Sequence, residues 1–87
     1  MTTAIHSDQY QAFIENLRVA RLSAGLTQAE AAEALGRPQS YVSKCENGER
    51  RVDAVEAKDF SVLYRVSLDD LLLPREGGRL GKEERSG

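Results

Sequence analysis

Residues 25–48 read GLTQAEAAEALGRPQSYVSKCENG, and this stretch decides the fold. Thr27 is followed three residues later by Glu30, which is the pattern of a capping box and marks the start of a helix. Gly36 suits the left-handed conformation that often ends a helix. Pro38 suits the first position of a second helix, where its missing N–H is not needed, and the glycine that closes the stretch would end it. The stretch therefore predicts two short helices that cross at a steep angle.

The second of these helices has one polar side and one apolar side. At about 100° per residue, four polar side chains lie within an arc of about 140°: Gln39, Ser40, Ser43 and Lys44. Three less polar side chains gather opposite them: Tyr41, Val42 and Cys45. The apolar side is expected to face a core. The polar side offers donors and acceptors of the kind that read base edges in the major groove of DNA, although an ordinary solvated helix face has the same pattern.

Three more helices are predicted outside this stretch, which makes the chain all-α. Asp8 with Gln11 marks the start of a first helix, whose apolar residues recur at helical spacing as far as the glycine at position 25. Asp53 begins a fourth helix by the same capping signature. Ser67 begins a short fifth helix, which Pro74 prevents from continuing.

Length and composition indicate one small domain. The chain has 87 residues, which can bury one modest helical core. The expected organisation is a flexible N-terminal arm at 1–7, a helical domain at 8–74 and a glycine-rich, charged, disordered tail at 75–87. The sequence has no apolar run of membrane-spanning length and no signal-peptide pattern, so we expect a cytoplasmic protein without a membrane partner.

The quoted stretch resembles the phage-repressor-type (Xre/Cro-like) helix-turn-helix family. The residues that carry the resemblance are Thr27, Gln28, Ala32, Gly36, Glu46, Asn47 and Gly48. The similarity covers roughly residues 13–73. It implies a compact five-helix, lambda-repressor-like DNA-binding domain in which helices 2 and 3 form the helix-turn-helix. It also implies a sequence-specific, repressor-like regulator of transcription that binds double-stranded DNA and is not an enzyme.

The resemblance also implies a division of labour among the DNA contacts. With the third helix in the major groove, base reading falls to Gln39, Ser40, Ser43 and Lys44. Backbone phosphates would be held by Gln28, Asn47, Arg50, Arg51 and Arg37. Arg21 has two interpretations, a structural ion pair with Glu46 or a direct phosphate contact, and the ion pair is favoured. At Arg65 the family usually has Gly or Asn, so this helix end is expected to be irregular or slightly strained.

The net charge of −2 is unusual for a DNA-binding domain, because phosphate neutralisation supplies most non-specific affinity. Six basic residues fall where the resemblance puts the DNA side: Arg18, Arg21, Arg37, Lys44, Arg50 and Arg51. Most acidic residues fall elsewhere, among them Asp53, Glu56, Asp59, Asp69 and Asp70. The sequence therefore predicts a molecule with a basic face and an acidic back, whose DNA affinity is modest and strongly dependent on salt.

Other residues that suggest chemistry have simpler interpretations. His6 and Cys45 are the chain's only histidine and cysteine, so they cannot supply a four-ligand zinc site, and no metal, cofactor or catalytic site is expected. For Cys45 a core thiol is favoured over a redox switch. For Tyr41, packing across the motif is favoured over stacking on the DNA backbone.

A homodimer is expected, since one such domain covers few base pairs and two-fold pairing extends the site. The C-terminal part of the domain has more apolar residues than one short helix needs to bury, and these are candidate dimer contacts: Val62, Leu68, Leu71, Leu72 and Leu73. The alternative is a fully intramolecular core. A second function also stays open: a protein-interaction module, such as an antitoxin or adaptor, in which the acidic back or these leucines bind a protein partner.

Overall fold

The computed structural model describes residues 2–74, with side chains from residue 8 onward. Within that range the chain is all-helical: α1 (Thr2–Ser23), α2 (Gln28–Leu35), α3 (Gln39–Asn47), α4 (Ala54–Tyr64) and α5 (Leu68–Leu71). The prediction of a compact five-helix fold is confirmed, with α2 and α3 as the helix-turn-helix. The tail predicted at 75–87 lies outside the described residues.

Helix α1 begins earlier than the sequence pattern indicated. It starts at Thr2, so Asp8 and Gln11 lie inside the helix and do not mark its beginning. Residues 2–7 have a helical backbone in place of the flexible arm predicted there. The physical reason is that this segment contains no glycine or proline, so nothing local stops the helix from extending toward the N-terminus.

The other helices start at the residues that the capping patterns indicated. The Thr27 side chain accepts a hydrogen bond from the N–H of Glu30, and the Glu30 carboxylate accepts one from the N–H of Thr27. Asp53 and Glu56 form the same reciprocal pair at α4. One difference is Pro38, which lies just before α3 as its N-cap, because its ψ of 155° is extended and not helical.

Helix α4 ends in a left-handed residue that is not glycine. Arg65 has φ 60° and ψ 45°, and its N–H donates to the carbonyl oxygens of Ser61 and Val62. A side chain with a Cβ in this conformation costs about 1–2 kcal/mol. The structure thus agrees with the sequence expectation of a strained helix end.

The core lies where α1, α3 and α4 meet, with α5 closing one end. Its largest fully buried side chains are Leu17, Val42, Cys45, Phe60 and Leu71. Leu71 is only 1% exposed, so its interpretation as a dimer contact is wrong: α5 is so short that one of its leucines must anchor it to the core. The thiol of Cys45 is likewise a core group, as expected.

An unpredicted contact holds α5 in place. Asn16, buried on α1, donates from Nδ2 to the carbonyl oxygens of Leu71 at 2.8 Å and Leu73 at 2.9 Å. The last carbonyls of a helix lack partners within the helix, so this amide satisfies groups that would otherwise be unpaired. Together with the buried Leu71, this side chain fixes the end of the domain to the rest of the fold.

Candidate nucleic-acid interface

The polar side of α3 lies on the surface, as predicted. Gln39, Ser40 and Lys44 are exposed and Ser43 is half-buried. In the part of the chain that the structure describes, none of these four side chains takes part in a hydrogen bond or ion pair. On the other side of α3, Tyr41, Val42 and Cys45 are buried. The helix therefore presents an uncommitted row of donors and acceptors to solvent.

The turn before α3 fixes the angle at which this face is presented. Gly36 has φ 72°, a conformation that favours glycine, and its N–H donates to the carbonyl oxygens of Ala32 and Glu33. Ala31 and Ala32 are buried in the core that α2 shares with α3. Small side chains at these positions allow the two helices to approach closely, and α3 is held on α2 as a rigid pair.

An ion pair joins α1 to the end of α3. Arg21 Nε lies 2.7 Å from Glu46 Oε2 and its Nη2 lies 3.0 Å from Glu46 Oε1, while its Nη1 donates to the carbonyl oxygen of Leu26. The hydrogen bond to Glu46 raises the pKa of Arg21 above its ordinary value. Since the Arg21 side chain is buried, it is a link between helices and is not presented to a phosphate.

Gln28 is bound to the same pair. Its Nε2 donates to Glu46 Oε1 at 3.0 Å, so the residue expected to hold a phosphate contacts the protein itself. A side-chain amide has two N–H donors, and this contact uses one of them. Gln28, Arg21 and Glu46 thus form a small network that connects α1, α2 and α3.

Two of the predicted phosphate-binding arginines meet on one aromatic ring. The Cζ of Arg37 lies 4.4 Å from the centroid of the Tyr41 ring and the Cζ of Arg50 lies 4.8 Å from it. Tyr41 itself packs parallel to Phe60, with centroids 5.9 Å apart. This buried position agrees with the packing interpretation of Tyr41, and burial raises the pKa of its hydroxyl to about 12.

Glu56 faces both of these arginines. Its Oε1 lies 2.9 Å from Arg50 Nη1 and its Oε2 lies 3.7 Å from Arg37 Nη2. The hydrogen bond from Arg50 is the main cause that lowers the pKa of Glu56 and raises that of Arg50. The sequence placed Glu56 on an acidic back, and that placement is wrong: the first turn of α4 points this carboxylate at the arginines that flank α3.

Arg51 is joined to this cluster through its backbone, because its carbonyl oxygen accepts a hydrogen bond from Arg50 Nη1 at 3.0 Å. The Cζ of Arg51 is 4.3 Å from the centroid of the Tyr10 ring on α1. The Tyr10 hydroxyl accepts a hydrogen bond from the N–H of Val52. Asn47, the last residue of α3, is exposed, and its side chain has no hydrogen bond within residues 8–74. The side chains of Arg51 and Asn47 therefore have surroundings that differ from those of the two arginines on the Tyr41 ring.

Sequence reasoning missed the roles of Glu56 and Asn16. Glu56 carried a local signal, but that signal concerned helix capping and gave no reason to connect it with Arg37. Asn16 carried no signal, because its partners are backbone carbonyls at the far end of the domain. The contacts of Glu56 with Arg37 and of Asn16 with the end of the domain join residues that are distant along the chain, whereas Arg50 lies only six residues from Glu56.

The described residues contain neither a candidate metal site nor a candidate membrane span. Within them, no group of three or more His, Cys, Asp or Glu side chains is arranged to hold a metal ion. None of their helices combines the length and the apolar character needed to cross a membrane.

Comparisons with known proteins agree with this geometry. A family model described as a helix-turn-helix domain matches residues 13–73. An XRE-family like protein from Pseudomonas syringae pv. tomato str. DC3000 is 43% identical, with a TM-score of 0.76 over 95% of each chain. A hypothetical transcription factor, NHTF, from Neisseria is 26% identical, with a TM-score of 0.74 over 87% of this chain and 86% of its own. A search of curated proteins gave no significant match.

The fold and its exposed helix face define a DNA-binding regulator of the helix-turn-helix class. The chain belongs to the Xre family, since the family model covers most of it and a relative of that family matches nearly its full length. The resemblance inferred from the sequence is thereby confirmed.

Proposed function

We propose that this protein is a sequence-specific, repressor-like regulator of transcription that binds double-stranded DNA with α3 in the major groove. The observation that supports this most is the uncommitted polar face of α3, which is held on a rigid pair of helices. Water satisfies these polar groups in the free protein, and the base edges of a major groove offer donors and acceptors that can replace it.

Base reading in this proposal falls to the exposed α3 residues. Gln39 has the amide that pairs in a bidentate way with adenine, and Lys44 has the ammonium group that donates to guanine N7 and O6. Each such pair discriminates by roughly 1–3 kcal/mol. Ser40 and Ser43 supply hydroxyl groups that accept several partners, so they specify weakly.

Phosphate contacts position the protein on the duplex. Gln28 has its remaining amide N–H for this purpose, at the N-terminus of α2 where backbone N–H groups also face outward. The other proposed contacts lie after the turn and after α3: Arg37, Asn47, Arg50 and Arg51. These contacts carry no sequence information, and those of the three arginines make the affinity fall steeply with salt.

The proposal includes a homodimer formed through the C-terminal part of the domain. Val62 is 66% exposed and Leu73 is 55% exposed, and Leu68 and Leu72 are also on the surface. Burying these side chains between two copies would remove apolar area from water and place two α3 helices on one face of DNA, with half-sites about 34 Å apart.

Cys45 is a free buried thiol, which suits a reducing compartment, and we place the protein in the cytoplasm.

Selection of bound duplexes from a random pool tests the proposal. We expect a shared motif with two-fold symmetry, recovered at both a low and a high salt concentration. A variant with Gln39 and Lys44 both replaced by alanine serves as the matched control and should lose the motif while it still retains DNA at low salt. A pool without any shared sequence would contradict the proposal.

One observation favours the second candidate, a protein-interaction module. A groove of about 460 Å³ lies between α1, the start of α4 and α5, and its lining includes Phe13, Ala57, Leu68 and Leu72. A partner that inserts an apolar side chain there would use the same leucines as the proposed dimer. If the DNA selection yields no shared motif and the protein is monomeric, the interaction module becomes the better-supported function.

A further inference from the structure

One buried carboxylate lies between two arginines from opposite ends of the recognition helix. Glu56 is 7% exposed and stands in the first turn of α4, outside the helix-turn-helix. It contacts Arg50, which follows α3, at 2.9 Å and Arg37, which precedes α3, at 3.7 Å. Its Oε1 also accepts the N–H of Asp53, so the carboxylate is fixed to the backbone at the start of α4.

The ring of Tyr41 lies beneath both guanidinium groups. Each Cζ is within 5 Å of the ring centroid, which is the geometry of a cation–π contact. Two like charges on one ring repel each other, and the carboxylate of Glu56 offsets that repulsion. The ring is itself buried and packs on Phe60 in the core. The two arginines therefore share a rigid support and a common counter-charge.

The arginines remain accessible although they are held. The side chain of Arg37 is 43% exposed and that of Arg50 is 39% exposed. A guanidinium group has five N–H donors in a fixed fork, so a group that pairs with one carboxylate keeps donors for another oxygen. The support thus orders both side chains without covering them.

We infer that Glu56 and Tyr41 are positioning residues that hold Arg37 and Arg50 as a two-armed clamp for DNA phosphates on either side of α3. The inference rests on the proposed DNA-binding function and adds to it two residues that do not touch DNA. An unrestrained arginine loses side-chain entropy when it binds a phosphate. An arginine that is already ordered in the free protein loses less, so its contact with DNA is more favourable.

Electrostatics alone makes the opposite prediction for Glu56. A negative charge close to DNA phosphates repels them, so its removal should tighten binding if Glu56 has no positioning role. If Glu56 orders the two arginines, its removal should weaken binding in spite of the more favourable net charge. The sign of the change in affinity separates the two accounts.

The test uses Glu56→Gln in the full chain. Glutamine also serves at this capping-box position, so the start of α4 is kept. The probe is a fluorescein-labelled duplex of mixed sequence and about 30 base pairs, titrated by fluorescence polarisation at about 50 and about 200 mM salt. We expect E56Q to bind roughly two- to tenfold more weakly than the wild type. Thermal unfolding establishes that both proteins are folded at the assay temperature.

Asp59→Asn is the matched control. Asp59 is an exposed acid on the same helix, and no ion pair involves it within the described residues. The substitution changes the net charge by the same amount as E56Q, so it should leave the affinity unchanged or raise it slightly.

A second control, Tyr41→Phe, keeps the aromatic ring and removes the hydroxyl, so it should bind DNA like the wild type. Weaker binding by Y41F would show that the hydroxyl, and not the ring, supports the two arginines.

Arginine substitutions complete the test. Arg37→Ala and Arg50→Ala should each weaken binding and reduce the salt slope by about one. In the E56Q background, R50A should weaken binding by a smaller factor than in the wild type, because E56Q has already removed the ordering of Arg50. Equal factors in the two backgrounds would overturn the inference.

Failure of the inference and failure of the proposed function give different results. If the wild type binds the duplex at neither salt concentration and the random pool yields no motif, the DNA-binding proposal itself fails. If the wild type binds and R37A and R50A weaken binding, but E56Q binds as tightly as the wild type or more tightly, the DNA-binding proposal stands and the positioning role of Glu56 is overturned.

Discussion

Arg21 and Glu46 join the first helix to the end of the recognition helix through two hydrogen bonds of 2.7 and 3.0 Å, and both side chains are less than a tenth exposed. The pair sets how α3 sits on α1, and Gln28 is attached to it from α2. The orientation of the proposed DNA-reading face therefore depends on one buried carboxylate.

Removal of one partner of this pair should destabilise the fold strongly. Arg21→Met leaves the Glu46 carboxylate buried without its cation, a situation that costs about 3–5 kcal/mol. Urea denaturation measures the loss in the free energy of unfolding. The double variant Arg21→Met with Glu46→Leu removes both charges and should recover much of the stability. Equal stability of the single variant and the wild type would show that the pair is not a structural link.

Lys44→Ala and Gln28→Ala should affect DNA binding in different ways. Lys44 is exposed on α3, so its loss should relax the preference at particular base pairs of the selected motif. Gln28 is assigned to a phosphate, so its loss should weaken binding to all sequences alike. Titration of the motif and of single-base variants of it measures both effects. A uniform loss in both variants would contradict the division between reading and positioning.

Arg65→Gly should stabilise the domain. Arg65 holds φ 60°, where a Cβ costs about 1–2 kcal/mol, and glycine removes that cost while it gains some freedom in the unfolded chain. The expected net gain is roughly 0.5–1 kcal/mol, measured as a rise in the urea midpoint. Arg65→Ala keeps the Cβ and serves as the control, which should bring no comparable gain.

Stability should fall in acid through Glu56. Its folded-state pKa is lowered from the ordinary value of 4.5, chiefly by the hydrogen bond from Arg50. A carboxyl group with a depressed pKa contributes stability above its unfolded-state pKa, and that contribution is lost as the pH falls through the folded-state pKa. Thermal unfolding between about pH 3 and pH 7 should therefore show a steeper loss in the wild type than in E56Q. Parallel curves would exclude this contribution.

Substitutions at two adjacent leucines should have different effects, one on the stability of the fold and the other on the proposed dimer. Leu71 is 1% exposed, so Leu71→Ala should cost about 2–5 kcal/mol of unfolding free energy. Leu72 is 45% exposed, so Leu72→Lys should leave the fold intact and shift the proposed dimer toward the monomer. Urea denaturation and analytical ultracentrifugation measure the two effects. An unchanged sedimentation profile for L72K would remove Leu72 from the proposed interface.

Much of the fold followed from signals that act over a few residues. The N-caps of α2, α4 and α5 are Thr27, Asp53 and Ser67, as predicted, because a capping side chain bonds a backbone N–H only three residues away. The polar face of α3 followed from helical periodicity. The start of α1 did not, since the same capping pattern occurs inside a helix when no neighbouring residue interrupts it.

The amino-acid sequence by itself determined α2 to α5, the turn at Gly36 and the division of α3 into a buried and an exposed side, because these depend on local hydrogen bonds and on the spacing of apolar residues. Only the tertiary structure decided that Glu56 meets Arg37 and Arg50, that Asn16 holds the end of α5, and that Leu71 is buried while its neighbours are not. These outcomes depend on how the helices pack against one another, and no local pattern records that packing.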